Sequence, residues 1–179
     1  MIYVALLRGI NVGGKNRIAM KELKETVESR GMKNVVTYIN SGNVIFEDPV
    51  RSKMEIAGIL EEAIHEDFSL EISVLIRSLE DYHEIMKALP EHWKNDKEMK
   101  SDVLFLWEEI DRKTVLDELT IKPKIDRVHY VPGALLWSVD KKDLTKSGLM
   151  KLAGTKLYKK MTVRNVNTAR KLYQMMKES

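Results

Sequence analysis

Residues 35–47 read VVTYINSGNVIFE, and this stretch decides the fold. Two runs rich in β-branched and aromatic side chains flank Asn40-Ser41-Gly42, a triplet of turn formers, so the stretch reads as a β-hairpin. A helical pattern comes immediately before it. Met20, Leu23 and Val27 share one face, and Gly31 supplies the left-handed residue that ends a helix. Before that helix, Ile2 to Leu7 is a continuous apolar run fit for a buried strand. After the hairpin, Ile56, Ile59, Leu60, Ala63 and Ile64 mark a second helix over about residues 50–67, and ISVLIR (72–77) is a further strand. The order is β-α-β-β-α-β, the split pattern of a ferredoxin-like unit.

The order then recurs. A connecting helix starts at Ser78, with Asp81 placed for a capping interaction and Leu79, Tyr82, Ile85, Met86 and Leu89 facing inward. Residues 90–100 are polar and read as an exposed loop. DVLFLW (102–107) is a strand, and Asp111 is positioned to cap a short helix carrying Val115, Leu116 and Leu119. RVHYV and ALLWSV flank Pro132-Gly133 as a second hairpin, Leu144 to Ala153 reads as helix, and MTVR (161–164) as a short strand. A last helix starts near Asn167, with Ala169, Leu172, Tyr173 and Met176 on its apolar face. The expected fold is α+β: two ferredoxin-like βαββαβ units with antiparallel sheets, plus a C-terminal helix. The expected division is a first unit with its connecting helix over residues 1–89, a loop over 90–101, and a second unit with the C-terminal helix over 102–179.

The first loop is LRGINVGGKNR (7–17), in which Gly9, Gly14 and Lys15 match G-x-x-x-x-G-K. Two features separate it from a phosphate-binding loop of a nucleotide hydrolase. Asn16 stands where a hydroxyl residue would hold Mg²⁺, and the helix after the loop leads into a hairpin, whereas that fold needs helical crossovers into a parallel sheet. Gly13-Gly14 still permits positive φ and close backbone approach, and consecutive N–H groups can form an anion-binding nest. Arg8, Lys15 and Arg17 add positive charge. Two readings stand side by side: a plain strand-to-helix turn, or an anion site. Asn40, Ser41, Gly42 and Asn43 read first as turn formers. In a split unit the first loop and the hairpin turn are expected at opposite ends of the sheet, and so not to share a pocket.

Charge is uneven along the chain. Residues 141–179 hold eleven Lys or Arg against Asp143 and Glu178, a net of +9, while the whole chain is only +3. Such a segment is either a solvated face or a surface for phosphate or nucleic acid. Arg164-Asn165 precedes the last helix. Asn165 or Asn167 can serve as its N-cap, or the helix N-terminus with Arg164 can bind an anion. There is no cysteine, which excludes disulfides, thiol catalysis and thiolate metal sites. His65, His83, His92 and His129 are scattered without metal-ligand spacing, so no metal or cofactor is expected. No run of about 18 uncharged apolar residues exists and the N-terminus reads as a strand, so no membrane partner is expected and a cytoplasmic location is. Aromatics such as Tyr38, Phe46, Phe105, Trp107, Tyr130 and Trp137 lie on strands, mostly as core. The RNP1 pattern of RNA-recognition domains is absent.

YVALLRGINVGGKNRIAMKELKE, VVTYINSGNVIFE, VLFLW and TKSGLMKLAGTKLYKKMTVRNVNTARKL together resemble the domain-of-unknown-function 1697 family of bacterial proteins, over essentially the whole chain. The resemblance implies two ferredoxin-like halves and no particular activity, substrate or cofactor. Its motif-bearing positions are Arg8, Gly9, Asn11, Gly13, Gly14, Lys15, Asn40, Ser41, Gly42, Asn43, Arg164, Asn165 and Thr168. Val166 departs from it, standing where the family typically has Trp. The functional expectation is a module binding an anion or phosphate, with nucleic acid as a candidate ligand, through Arg8, Asn11, Gly13, Gly14, Lys15, Arg164 and Asn165. The alternatives are an enzyme acting on a small anionic metabolite, which would need a pKa-shifted carboxylate or histidine near Arg8, and a structural or oligomeric protein.

Overall fold

The computed structural model describes residues 1–179. It contains two four-stranded antiparallel sheets, each with helical segments between its strands, and a C-terminal helix. The chain divides into two compact units: Met1–Tyr82 with Leu172–Ser179, and His83–Lys171.

In the first unit the elements are β1 (Ile2–Leu7), α1 (Met20–Ser29), β2 (Lys33–Tyr38), β3 (Asn43–Glu47), α2 (Lys53–Phe68) and β4 (Val74–Ser78). The sheet order is β2-β3-β1-β4, and β1 pairs antiparallel with both neighbours. Alternation along the strands sends Tyr3, Ala5 and Leu7 of β1 and Val44 and Phe46 of β3 into one core with Leu23, Val27, Ile56, Leu60 and Ile64 of the helices. Val4 and Leu6, on the other face of β1, are fully buried as well. Ser52 caps α2 by accepting from the Glu55 amide at 3.2 Å. At the start of α3 (Leu79–Ala88), Ser78 Oγ accepts from the Asp81 amide at 3.1 Å and the Asp81 carboxylate accepts from the Ser78 amide at 3.2 Å, the reciprocal cap that the sequence predicts.

The first loop and the hairpin turn, expected at opposite ends of this sheet, lie at the same end. Because β3 runs antiparallel to β1, the end of β1 lies beside the start of β3: Leu6 pairs with Asn43, and the Leu7 amide donates to the Gly42 carbonyl at 2.9 Å. Both connections therefore occupy the same end.

The second unit repeats the topology with β5 (Met99–Leu106), β6 (Arg127–Val131), β7 (Ala134–Asp140) and β8 (Met161–Asn165) in the order β6-β7-β5-β8. Its core gathers Leu104, Leu106, Leu135, Trp137, Met161, Val115 and Leu152. The helical layer is thinner here. Between β5 and β6 there are only 3₁₀ turns, at Glu108–Ile110 and Lys113–Glu118. Asp111 does not cap a helix: its carboxylate accepts from the Tyr130 hydroxyl at 2.7 Å and the Gly133 amide at 2.9 Å, fastening the β6–β7 hairpin. Burial and that carboxylate push the Tyr130 hydroxyl up to about 12.

The helix read over Leu144–Ala153 is broken into a 3₁₀ turn at Lys141–Lys146 and a single turn, α4, at Leu149–Leu152. The cause is the buried carboxylate of Asp126. It draws in the Ser147 hydroxyl and the Gly148 amide, the latter at 2.9 Å, and Ser147 takes an extended conformation that ends the turn. Residues 90–100 are not simply an exposed loop either. Trp93 is 1% exposed, and Met99 and Lys100 already belong to β5. The last helix, α5, runs Val166–Lys177.

Candidate functional site

The glycine loop of the first unit is a miniature hairpin. Val12 and Lys15 face each other as a bridge, the Lys15 amide donates to the Val12 carbonyl at 3.0 Å, and the Asn11 amide to the Asn16 carbonyl at 3.0 Å. Gly13 and Gly14 have φ of +58° and +75°, the left-handed values that the two central residues of a type I′ turn require. The antiparallel sheet and this turn exclude the nucleotide-hydrolase loop. Asn11 closes the structure. Its side-chain oxygen accepts from the Ile18 amide at 2.9 Å, and its nitrogen donates to the Ile18 carbonyl at 3.0 Å and the Asn40 carbonyl at 2.8 Å. Gly13, Gly14, Lys15 and Arg17 are exposed, and Arg8 is half-buried. The loop is thus a presented cationic tip whose Asn11 is fully used within the fold.

Arg164 and Asn165 belong to the second unit. Arg164 is buried, and its guanidinium donates to the Thr162 hydroxyl and the Val163 carbonyl, both at 2.9 Å. Asn165 caps α5 by accepting from the Thr168 amide at 3.0 Å.

The second unit also carries exposed basic residues, which a charge count along the chain does not place. Between β7 and β8, residues 141–160 hold Lys141, Lys142, Lys146, Lys151, Lys156, Lys159 and Lys160 against a single acid, Asp143. All seven lysines are exposed, and only Lys160 is in an ion pair, with Glu109 at 2.7 Å.

Beside this segment lies an open groove of about 750 Å³, lined among others by His92, Lys94, Lys97, Glu98, Asp140 and Lys142. Side chains of α5 hold its loop in place: Arg170 donates to the carbonyls of Trp93 at 2.6 Å and Pro90 at 3.0 Å, and Asn167 to that of Asn95 at 3.0 Å. Trp93 is the anchor, stacked on His129 with ring centroids 5.4 Å apart. A tryptophan inside an otherwise polar stretch was the available sign that this loop folds back onto a core.

Several carboxylates are perturbed, and each has a structural cause. Burial alone would raise Asp48, but the Val50 and Arg51 amides and the Arg51 guanidinium hold it below the ordinary range. Asp81 is depressed likewise by Lys53 and its capping bonds. Asp126 is depressed despite burial by bonds from Ser147, the amides of Lys122 and Gly148, and the Trp137 indole. Only Asp102 is raised: it is 3% exposed on β5, and burial outweighs Lys100 at 2.9 Å.

No curated protein matches the chain. Among solved structures it is similar to the conserved bacterial protein SP0830 from Streptococcus pneumoniae, with 31% sequence identity, 98% of each chain covered and a TM-score of 0.84. That likeness extends over both units and includes the lysine segment. The model of the family described as protein of unknown function (DUF1697) matches residues 1–137, which take in the glycine loop, the hairpin turn and most of the second sheet, and the chain belongs to that family.

Proposed function

We propose that the protein binds a phosphate-bearing polymer, RNA or DNA, through the lysine segment of its second unit. The observation that supports this reading is the set of six exposed lysines between residues 141 and 159 that make no ion pair, opposed by one acid. Exposed like charges without counter-charges repel one another, and a bound polyanion relieves that repulsion and releases its own condensed counterions. Lys15 and Arg17 on the exposed glycine loop are a second cationic surface, and in this reading they add to the long-range attraction of the anion.

Fluorescence anisotropy with labelled single strands tests the proposal. Neutralising about four phosphates of a single strand predicts a roughly fiftyfold loss of affinity between about 50 and 200 mM salt. The double variant Lys156→Ala/Lys159→Ala is expected to weaken binding and flatten that dependence. Absence of binding at the lower salt, or binding indifferent to salt, would remove the reading.

A further inference from the structure

The groove of the second unit has a mixed lining in which opposite charges do not pair with one another. Lys94, Lys97 and Lys142 take part in none of the chain's ion pairs, and neither does Glu98. Asp140 is occupied by Arg127 at 3.0 Å. The Asp96 carboxylate builds the loop by accepting from the Glu98 and Met99 amides, both at 2.9 Å. Glu98 is fixed at its backbone, because its carbonyl accepts from the Lys141 amide at 2.8 Å. What remains on offer to a ligand is three ammonium groups, the His92 imidazole and one carboxylate not engaged elsewhere, that of Glu98, in a space of about 750 Å³. That volume lies within the range that holds one small-molecule-sized unit.

A ligand carrying phosphate alone gains from the lysines and is opposed by Glu98, and by the Asp96 and Asp140 carboxylates beside it. A ligand that presents a hydroxyl donor next to its phosphate satisfies both the lysines and Glu98. Within nucleic acids this distinguishes RNA from DNA, since the ribose 2′-hydroxyl can donate to a carboxylate and DNA has no such group. Lys142 belongs both to the groove and to the lysine segment, so the two surfaces share a residue.

We infer that the groove accepts one nucleotide unit of an RNA strand, with its phosphate on Lys94, Lys97 and Lys142 and its 2′-hydroxyl donating to Glu98. This rests on the reading of the lysine segment as a polyanion surface, and makes the protein selective for RNA.

The test compares labelled single-stranded RNA and DNA of matched sequence by anisotropy, on the full chain at about 50 mM salt, where phosphate interactions are strong. Wild type is expected to prefer RNA by roughly tenfold or more, the scale of one hydrogen bond to a charged group. Glu98→Ala, which leaves no side-chain acceptor for the 2′-hydroxyl, is expected to bring that ratio close to one. Removing a negative charge by itself raises affinity for both strands, so the ratio is the readout. Lys156→Ala/Lys159→Ala is expected to weaken both strands and preserve the ratio. A wild-type ratio near one, or a ratio untouched by Glu98→Ala, overturns the groove's role and leaves the lysine segment standing. If neither strand binds, the lysine reading falls and this inference with it.

Discussion

The side-chain amide of Asn11 donates to the backbone carbonyl of Asn40 at 2.8 Å. With this bond the loop after β1 is tied to the turn between β2 and β3, and LRGINVGGK and YINSGN, far apart in the chain, become one end of the first sheet. Asn11→Ala deletes this bond and both bonds to Ile18. The expected loss is about 2–3 kcal/mol of unfolding free energy, from several part-buried hydrogen bonds removed together. Urea denaturation measures it, and a change below about 0.5 kcal/mol would show the amide to be dispensable.

Gly42 and Gly13 both have positive φ, +88° and +58°, but their surroundings differ. A Cβ on Gly42 would lie 2.7 Å from Ile10 Cδ1 and 2.8 Å from Leu7 Cβ, whereas one on Gly13 meets nothing within 4 Å. Gly13→Ala is expected to cost about 1 kcal/mol from backbone conformation alone. Gly42→Ala adds overpacking and is expected to cost about 2–4 kcal/mol. Equal midpoint shifts for the two in thermal melts would contradict this account.

Ile39 is a β-branched residue at φ +49°, 47% exposed, in the turn next to Asn40. Left-handed backbone is strained for such a side chain, and exposure gives it little packing in return. Ile39→Gly is therefore expected to raise stability by about 0.5–1 kcal/mol, the strain relieved less the extra freedom of glycine in the unfolded chain. A lowered melting temperature would mean that Ile39 packs more productively than its exposure indicates.

The buried carboxylates Asp126 and Asp102 should respond to pH in opposite directions. Asp126 is depressed below its ordinary 3.8, because four donors outweigh the effect of burial. Its contribution is fully present above that value and is lost as pH falls through the lower folded value. Asp102 is raised, mainly by burial, so folding favours its protonated form and its ionisation weakens the fold as pH rises past 3.8. Asp126→Asn turns an NH₂ toward the Lys122 and Gly148 amides or the Ser147 and Trp137 donors, and is expected to cost about 2–4 kcal/mol at neutral pH. Asp102→Asn is expected to cost less than about 1 kcal/mol, since relief of burial offsets the loss of Lys100. Melting curves of both variants from acid to neutral pH check the magnitudes and the two slopes.

Arg164 separates a folding cation from a binding cation. It is 6% exposed and bonded to Thr162 and Val163. Arg164→Ala is expected to destabilise the second unit by about 2–3 kcal/mol while leaving the salt slope of oligonucleotide binding unchanged. Lys156→Ala/Lys159→Ala is expected to do the reverse, with stability within about 0.5 kcal/mol and the slope reduced by about 1.4, or about 0.7 for each phosphate left without its lysine. A reduced slope for Arg164→Ala would return that residue to the binding surface.

The sequence by itself determined the strands and their order. Ile2–Leu7, the Asn40-Ser41-Gly42 turn and the Pro132-Gly133 turn were legible because apolar runs bounded by turn formers are local signals. The reciprocal cap at Ser78 and Asp81 was legible because its partners are three residues apart. What only the tertiary structure decided depends on partners distant in the chain. Asp126 breaks the helix expected over Leu144–Ala153 from some twenty residues away, and Asp111 fastens a hairpin where a cap was expected. The glycine loop joins the hairpin turn through Asn11 and Asn40, 29 residues apart. The same holds for the candidate site. A charge count reveals that residues 141–179 are basic, but not that Arg164 is buried, nor that Arg170 and Asn167 hold the loop carrying Lys94, Lys97 and Glu98. Burial and pairing are relations between distant residues, and the side chain's identity alone does not distinguish a cation that holds the fold from one that is free to meet a ligand.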